Sequence, residues 1–413
     1  MSKQSLTLST YPKLRSARRS GRSRDLEDGM LDESRKMLAQ AVSSGVLDLG
    51  PVPTPGRRNT GCLSELKSAR VVAAKRAFTT RRVDLELATQ IVTRCVPQAG
   101  DLLLAKVEAV GLHARLESTE GRRCRLYPDD EIIVAYGARY APDQFEAVVP
   151  DDLGPCDLAA GGGIAGRVVS RHDRTSKPTR IVPVGLFADA EGRIINLRRF
   201  AITVEQRPRH TPVVIAIAGT SMNSGKTTTA SSLVHGLSRA GLRVSAAKVT
   251  GTGSGGDLWS LVDAGAEKVL DFTDMGYATT ANLAPLEVEH VTLSIIDTLS
   301  SDLVDVIVIE IADGVLQKET AQLLSSPRFK SRLNGIVFAA GDAMGAGAGV
   351  RWLRERDLPI MAVSGVVTTS PLGIRETEDA TGLPVLGISS LMDPVLAAKL
   401  CFSLPEAAAL IAG

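Results

Sequence analysis

Val213-Val-Ile-Ala-Ile-Ala218 runs into Gly219-Thr220-Ser221-Met222-Asn223-Ser224-Gly225-Lys226-Thr227-Thr228, and then into Thr229-Ala-Ser-Ser-Leu-Val-His-Gly-Leu237. The order reads as strand, glycine-bounded loop, helix. Such a loop turns its backbone N–H groups inward around a phosphate chain at the positive end of a helix. Lys226 adds a mobile positive charge for the β/γ-phosphates, and the hydroxyl of Thr227 suits Mg²⁺. Gly219 to Thr228 is therefore the expected site of a nucleotide or another phosphorylated cofactor.

From about Thr211 onward the pattern alternates. Strands are expected at Val213–Ala218, Arg243–Val249, Val304–Ile311, Asn334–Ala340 and Pro359–Val366, with a short one at Pro384–Gly387. Helices fit between them at Lys226–Ala240, Leu286–Leu299 and Gly349–Asp357. This is the signature of an α/β fold with a parallel sheet, and about 200 residues make a complete domain of that kind. Ahead of it the period changes. Asp101–Val110, Ala114–Glu117, Arg122–Leu126, Glu131–Tyr136, Phe145–Val149 and Arg180 onward read as short strands, with hairpins around Ser118–Gly121 and Glu191-Gly192. These predict a separate β-rich N-terminal domain, a small barrel or curled sheet. Asp32–Ser44 and Arg82–Cys95 read as helices, and Gly50–Gly56 as a turn-rich link. The expected organisation is a basic tail over 1–30, a β-rich domain with leading helices over 31–205, and a phosphate-binding α/β domain over 210–413.

Two acids and a lysine accompany the loop. Asp305-Val-Ile-Val-Ile-Glu310-Ile-Ala-Asp313-Gly314 is an apolar strand ending in an acid. The carboxyl ends of strands are where open α/β sheets bind ligands, so Glu310 is a candidate site residue. Lys248-Val-Thr-Gly-Thr-Gly-Ser-Gly-Gly-Asp257 follows the second strand, and its glycine run reads as an anion cradle or a mobile loop. Gly161-Gly-Gly163-Ile-Ala-Gly166 matches the dinucleotide fingerprint in letters only. No helix pattern follows it, so it reads as a bend in the β-rich part. Asp271, Asp274, Thr279 and Thr280 read as a polar loop, either solvated or facing substrate.

Five residues separate Gly219 from Gly225, where the standard phosphate loop has four between its first glycine and the Gly-Lys pair. That spacing, with its Gly-Thr start and Gly-Lys-Thr end, resembles the dethiobiotin synthetase and cobyric acid synthetase branch of P-loop NTPases. Ser221 stands where partition and septum-site ATPases carry an extra lysine. The resemblance implies that Glu310 serves Mg²⁺, that Lys248 lies near substrate and phosphates, and that Asp257 binds Mg²⁺. The proline after the family's lysine is missing here. It further implies a Mg-ATP-dependent, ligase-like enzyme acting on a small anionic, carboxylate-bearing substrate, with Lys226, Glu310 and Lys248 as catalytic residues and Thr227, Glu310 and Asp257 on the metal. The segment Ser364 to Val385 is loosely similar to a two-domain family that includes a D-amino-acid N-acetyltransferase, in which the loop would hold acyl-CoA. A nucleotide-gated adaptor is the other open reading.

Composition narrows the partners. A net charge of +2 and 4% aromatic residues leave no general nucleic-acid footprint. The five cysteines form no CxxC pair, which argues against a structural zinc site and suits a reducing compartment. No apolar run reaches the roughly 18–20 residues that span a bilayer, and no apolar signal core opens the chain. A cytoplasmic protein is expected, with a nucleotide, a small anionic substrate and a second copy of itself as partners. Asn-Lys-x-Asp, which reads guanine, does not follow Asn334–Ala340, where Gly341-Asp342 stands instead. This points to ATP over GTP.

Overall fold

The computed structural model describes residues 62–203, 211–300 and 303–402. The expected tail, the Asp32–Ser44 helix and the Gly50–Gly56 link lie outside the described residues. No helix among the described residues is long and apolar enough to cross a membrane.

The N-terminal part is built on five strands: β1 (Leu102–Ala109), β2 (Glu131–Tyr136), β3 (Cys156–Ala160), β4 (Ile164–Arg171) and β5 (Thr179–Ala188). β1 pairs with β2, β2 with β4, β4 with β3, β3 with β5, and β5 returns to β1. The pairing closes a ring, which leaves these strands without open edges. Only the β2–β4 contact is parallel. Side chains alternate along each strand: Leu102, Leu104, Ile133 and Ala135 join one buried cluster, while Leu103, Ala105, Ile132 and Val134 join another. Both faces are covered, so Leu102-Leu-Leu-Ala105 reads as an unbroken apolar run instead of an alternation. The sequence misses β3 and β4 because Gly161-Gly-Gly163 interrupts them; those glycines form the turn between the two strands. Arg82–Cys95 is not a helix. It contains a single 3₁₀ turn at Leu85–Leu87 and a strand at Gln90–Val92 that pairs with β5. Its β-branched Thr89, Ile91 and Val92 suit a sheet edge better than a helix.

The C-terminal part is a six-stranded sheet with every contact parallel. Its strands are β6 (Val213–Gly219), β7 (Val244–Lys248), β8 (Lys268–Asp271), β9 (Val306–Glu310), β10 (Gly335–Ala339) and β11 (Ile360–Ser364), in the order β8-β7-β9-β6-β10-β11. Helices cover both faces. Helix α1 (Lys226–Arg239) places Ala230, Leu233, Val234 and Leu237 on one stripe, packed with Ile215 and Ile217 of β6. Helices α3 (Pro285–Ser300) and α4 (Ala343–Arg354) pack on the other face with Val214, Ala216 and Ala218. Emptying one such site, for example Leu233→Ala, costs about 2–5 kcal/mol. The last strand expected at Pro384–Gly387 is only a single bridge, Val385 to Val363, and α4 begins six residues before its expected start at Gly349. In α4, Asp342 caps the helix by accepting the Gly345 N–H, a signal hidden in a glycine-rich stretch. The glycine run before Asp257 is half helix: α2 (Gly255–Asp263) carries Asp257 in its first turn.

The two parts are bound by contacts spread along their border. Arg81 reaches Asp271 and Asp274 at 3.2 and 2.7 Å and also bonds Thr273. Asp271 and Asp274, read from sequence as solvated or facing substrate, are instead buried against the β-rich part. Thr279 and Thr280 bond Gly251 and are buried as well. Gly162 lies so close to Gly253 that a Cβ there would meet the Gly253 carbonyl oxygen at 1.9 Å.

Candidate active site

β6 ends at Gly219 and α1 begins at Lys226, so the loop between them sits at the carboxyl end of the sheet. Its shape is set by two residues in the left-handed region, Asn223 (φ 61°) and Gly225 (φ 96°), the second closing directly onto α1. Outer anchors fix it: the Thr220 N–H donates to the Ala339 carbonyl and the Val366 N–H to the Ser224 carbonyl, each at 3.0 Å. The N–H groups of Met222, Asn223, Ser224 and Gly225 have no acceptor among the described residues. Four adjacent free donors at a helix start are a cradle for an anion.

Around the cradle the sheet ends bring the other candidates together. Lys226 is 6% exposed, and its Nζ donates to the Ser221 carbonyl at 2.7 Å. Burial holds its pKa below the ordinary lysine range. Thr227 Oγ1 bonds the Glu310 carboxylate at 3.0 Å and that of Asp257 at 3.2 Å. Glu310 is 3% exposed, its Oε2 is buried with no partner, and burial raises its pKa. Lys248 forms an ion pair with Asp257. Burial opposes the Lys248 charge, but Asp257, Glu310 and Asp271 outweigh it and hold the ammonium protonated. Asp257 is likewise held ionised, with Lys248 and Thr227 overcoming its burial. Lys226, Thr227, Lys248, Asp257 and Glu310 thus meet at one place. Lys248 is already engaged there, where sequence reading treats it as free for substrate.

These oxygens suit Mg²⁺. Glu310 leaves one carboxylate oxygen without a partner beside a hydroxyl and a second acid, and hard oxygen donors are what Mg²⁺ takes. No group of three or more His, Cys, Asp or Glu among the described residues stands ready to hold a metal. A Mg²⁺ shared between one or two carboxylates and phosphate oxygens needs none.

The loop opens into a cleft of about 890 Å³ that the β-rich part walls on its far side. Arg115, Arg123, Arg139 and His113 come from that wall. Arg139 is 8% exposed; it donates to the Ala159 carbonyl at 2.6 Å and to Gln144 Oε1 at 2.8 Å, and burial lowers its pKa to about 10. Burial and Arg139 push His113 down to about 4, so it is neutral near pH 7. Asp143 reaches the loop itself, accepting from Asn223 Nδ2 at 2.9 Å. Gly161 and Gly162, a bend by sequence, line the same cleft. Asp313 lines it too and was not a sequence candidate. Its signal was present, an acid one turn beyond the Glu310 strand. The barrel arginines left none beyond the alternation of Arg123 and Arg125 on one hairpin.

Residues 214–316 match the family described as molybdopterin guanine dinucleotide synthesis protein B. The match covers about a quarter of the chain and lies within the parallel-sheet part, which is a P-loop nucleotide-binding domain. The matched span runs from β6 to just past Asp313 and so contains the loop, Lys248, Asp257 and Glu310; it does not single out the dethiobiotin synthetase branch. No curated protein matches the chain. Among solved structures, the signal recognition particle 54 kDa protein from Aeropyrum pernix K1 in complex with GDP is 18% identical over 52% of this chain, with a TM-score of 0.31. The match covers 53% of that protein, so this chain spans about half of its length. The signal recognition particle receptor FtsY from Elizabethkingia anophelis in complex with GDP is 16% identical, covering 49% of this chain and 67% of that one, with a TM-score of 0.34. Likenesses this slight carry no weight for what the P-loop domain does.

Proposed function

We propose that this protein is a Mg²⁺-dependent enzyme that transfers the terminal phosphoryl group of a nucleoside triphosphate, ATP by its sequence, to a small anionic acceptor. In this reading the β-rich part, expected over 31–205, would supply the acceptor side of the cleft, and the domain expected over 210–413 the nucleotide side. The observation that carries this reading is the Thr227 hydroxyl bridging Glu310 and Asp257 while Glu310 keeps a buried oxygen without a partner. A folded protein leaves a buried carboxylate oxygen unsatisfied at a cost of about 1–3 kcal/mol or more, and a ligand that completes it recovers that cost.

The free loop N–H groups and Lys226 would hold the β- and γ-phosphates and stabilise charge as it moves toward the leaving diphosphate. Thr227, Glu310 and Asp257 would hold Mg²⁺, which when bound draws charge from the phosphate oxygens. Release of Asp257 to the metal would free Lys248 to orient the acceptor. Arg139, Arg115 and Arg123 supply positive charge on the opposite wall, which favours an anionic acceptor and gives the β-rich part a reason to be there.

Titrating full-length protein with ATP, GTP and acetyl-CoA, with and without Mg²⁺, while following thermal unfolding tests this. A Mg²⁺-dependent shift with ATP that disappears in Lys226→Ala is expected. An acetyl-CoA shift without a triphosphate shift would replace the reading with acyl transfer. A triphosphate shift with no turnover on any acceptor, together with nucleotide-dependent retention of a protein partner, would replace it with the adaptor reading.

A further inference from the structure

We propose that Asp313 is the general base of the transfer, and hence that the acceptor presents an O–H or N–H nucleophile. This rests on the phosphoryl-transfer reading above and narrows its substrate class.

Asp313 lies on the short segment that follows β9. Two backbone hydrogen bonds fix that segment against the loop strand, Ile311 N–H to the Ile217 carbonyl at 2.9 Å and Val315 N–H to the Gly219 carbonyl at 3.0 Å, and a third ties it to the segment after β7, Ala312 N–H to Thr250 Oγ1 at 2.8 Å. Between these anchors Asp313 sits at φ 60°, in the left-handed region that side chains rarely occupy. Backbone held there against its preference concentrates at functional sites. The carboxylate lines the cleft and accepts no hydrogen bond from the described residues. The other acids lining the cleft each accept from a partner: Glu310 on one oxygen from Thr227, Asp257 from Lys248 and Thr227, and Glu117 from Ser254 and Gly255.

The groups whose charge acts on Asp313 come from both parts: Lys226, Lys248 and Glu319 from the P-loop domain, and Arg139 from the barrel wall. Asp313 therefore feels the charge both of the lysine proposed to hold the phosphates and of the arginine on the acceptor side. Burial raises its pKa above the ordinary aspartate range, which increases its affinity for a proton.

The step balances as follows. The acceptor's O or N lone pair forms a bond to the γ-phosphorus as the bond from that phosphorus to the β,γ-bridging oxygen breaks. The electron pair of the broken bond leaves on the nucleoside diphosphate. The proton of the acceptor passes to the Asp313 carboxylate, which later returns it to solvent through the cleft. A carboxylate acceptor has no such proton to give, so a base at this position selects hydroxyl- or amine-bearing anions.

The test uses full-length protein, Mg-ATP, and water as the simplest protic acceptor, reading phosphate release and the Kd of a fluorescent ATP analogue. Asp313→Asn keeps the size and tolerates the left-handed backbone. It is expected to lower kcat by about 10²–10⁴-fold, the usual contribution of general-base catalysis, and to bind the nucleotide no more weakly than wild type, because a negative charge near the γ-phosphate is gone. Asp313→Gly, which removes backbone strain, should fold at least as well and show the same loss. Asp313→Glu should recover part of the rate. Wild-type kcat in Asp313→Asn, or a loss explained by weakened nucleotide binding, overturns the assignment of the base and leaves the phosphoryl-transfer reading standing. A wild type that binds Mg-ATP and turns it over neither with water nor with any hydroxyl- or amine-bearing anion supplied overturns both.

Discussion

Glu117 of the β-rich part accepts the Gly255 backbone N–H at 2.8 Å, and the same oxygen accepts the Ser254 hydroxyl at 2.9 Å. Gly255 is the first residue of α2, whose first turn carries Asp257. A carboxylate from one part of the chain thus caps the helix that presents an acid to the P-loop in the other part. Helix starts favour negative charge and leave N–H groups to satisfy. Glu117→Ala should cost about 1–3 kcal/mol, the range for hydrogen bonds to a charged group. Urea unfolding measures that cost. A Mg²⁺ titration should show the second effect, a higher metal requirement for nucleotide binding, because the Asp257 turn is no longer held.

Arg81→Met should be more damaging, about 3–5 kcal/mol near neutrality, because it removes the cation paired with Asp271 and Asp274, at 1% and 4% exposure, and leaves Asp274 only the more exposed Arg82 at 3.6 Å. The cost should depend on pH in a stated direction. Burial and Asp271 raise the pKa of Asp274 against the pull of Arg81. A raised carboxylate holds its proton more tightly folded than unfolded, so its contribution to stability is full in acid and is lost as pH rises through the folded pKa. Without Arg81 that loss grows. Denaturation at about pH 4 and about pH 8 should show the smaller gap between variant and wild type in acid; an equal gap at both would refute the clamp.

Glu310→Gln should separate stability from function. Burial disfavours the ionised form of Glu310, and a neutral isostere removes that penalty. The nucleotide-free variant should melt at or above the wild-type temperature, while the Mg²⁺-dependent part of its ATP-induced shift disappears. A variant that melts lower and keeps that shift would show Glu310 to be a structural acid.

Gly162→Ala tests the seam between the parts. With only 1.9 Å to the Gly253 carbonyl oxygen, a methyl group must push backbone against backbone. A loss of about 2 kcal/mol or more is expected, at the upper end of overpacking costs. Nucleotide binding should weaken with it, since Gly253 belongs to the segment joining Lys248 to Asp257.

Much of the P-loop half was legible in the residues. Val213-Val-Ile-Ala-Ile-Ala218 is apolar on both faces because helices cover both faces of its sheet, and a loop closed by Gly225 and Lys226 has few other uses. Glu310 could be read because a strand end fixes where an acid points. The cleft's far wall could not be read, because His113 and Arg139 are brought together by bonds to the one Ala159 carbonyl, distant from both in sequence, which no local pattern encodes. Arg82–Cys95 misled for the same reason: its leucines fit a helical stripe, and only the partner β5 decides that Gln90–Val92 is extended. The Lys248–Asp257 pair was visible as two residues, but their mutual engagement is a property of distance alone.

The hydrogen bond from Asn223 to Asp143 joins the tip of the nucleotide loop to the barrel. Its consequence concerns inheritance. A P-loop domain transplanted onto another partner would lose the residue that steadies its own loop, the carboxylate that caps α2 and one wall of its cleft at the same time. The two halves of this chain are therefore expected to change together through descent, and a gene carrying one without the other should encode a different chemistry.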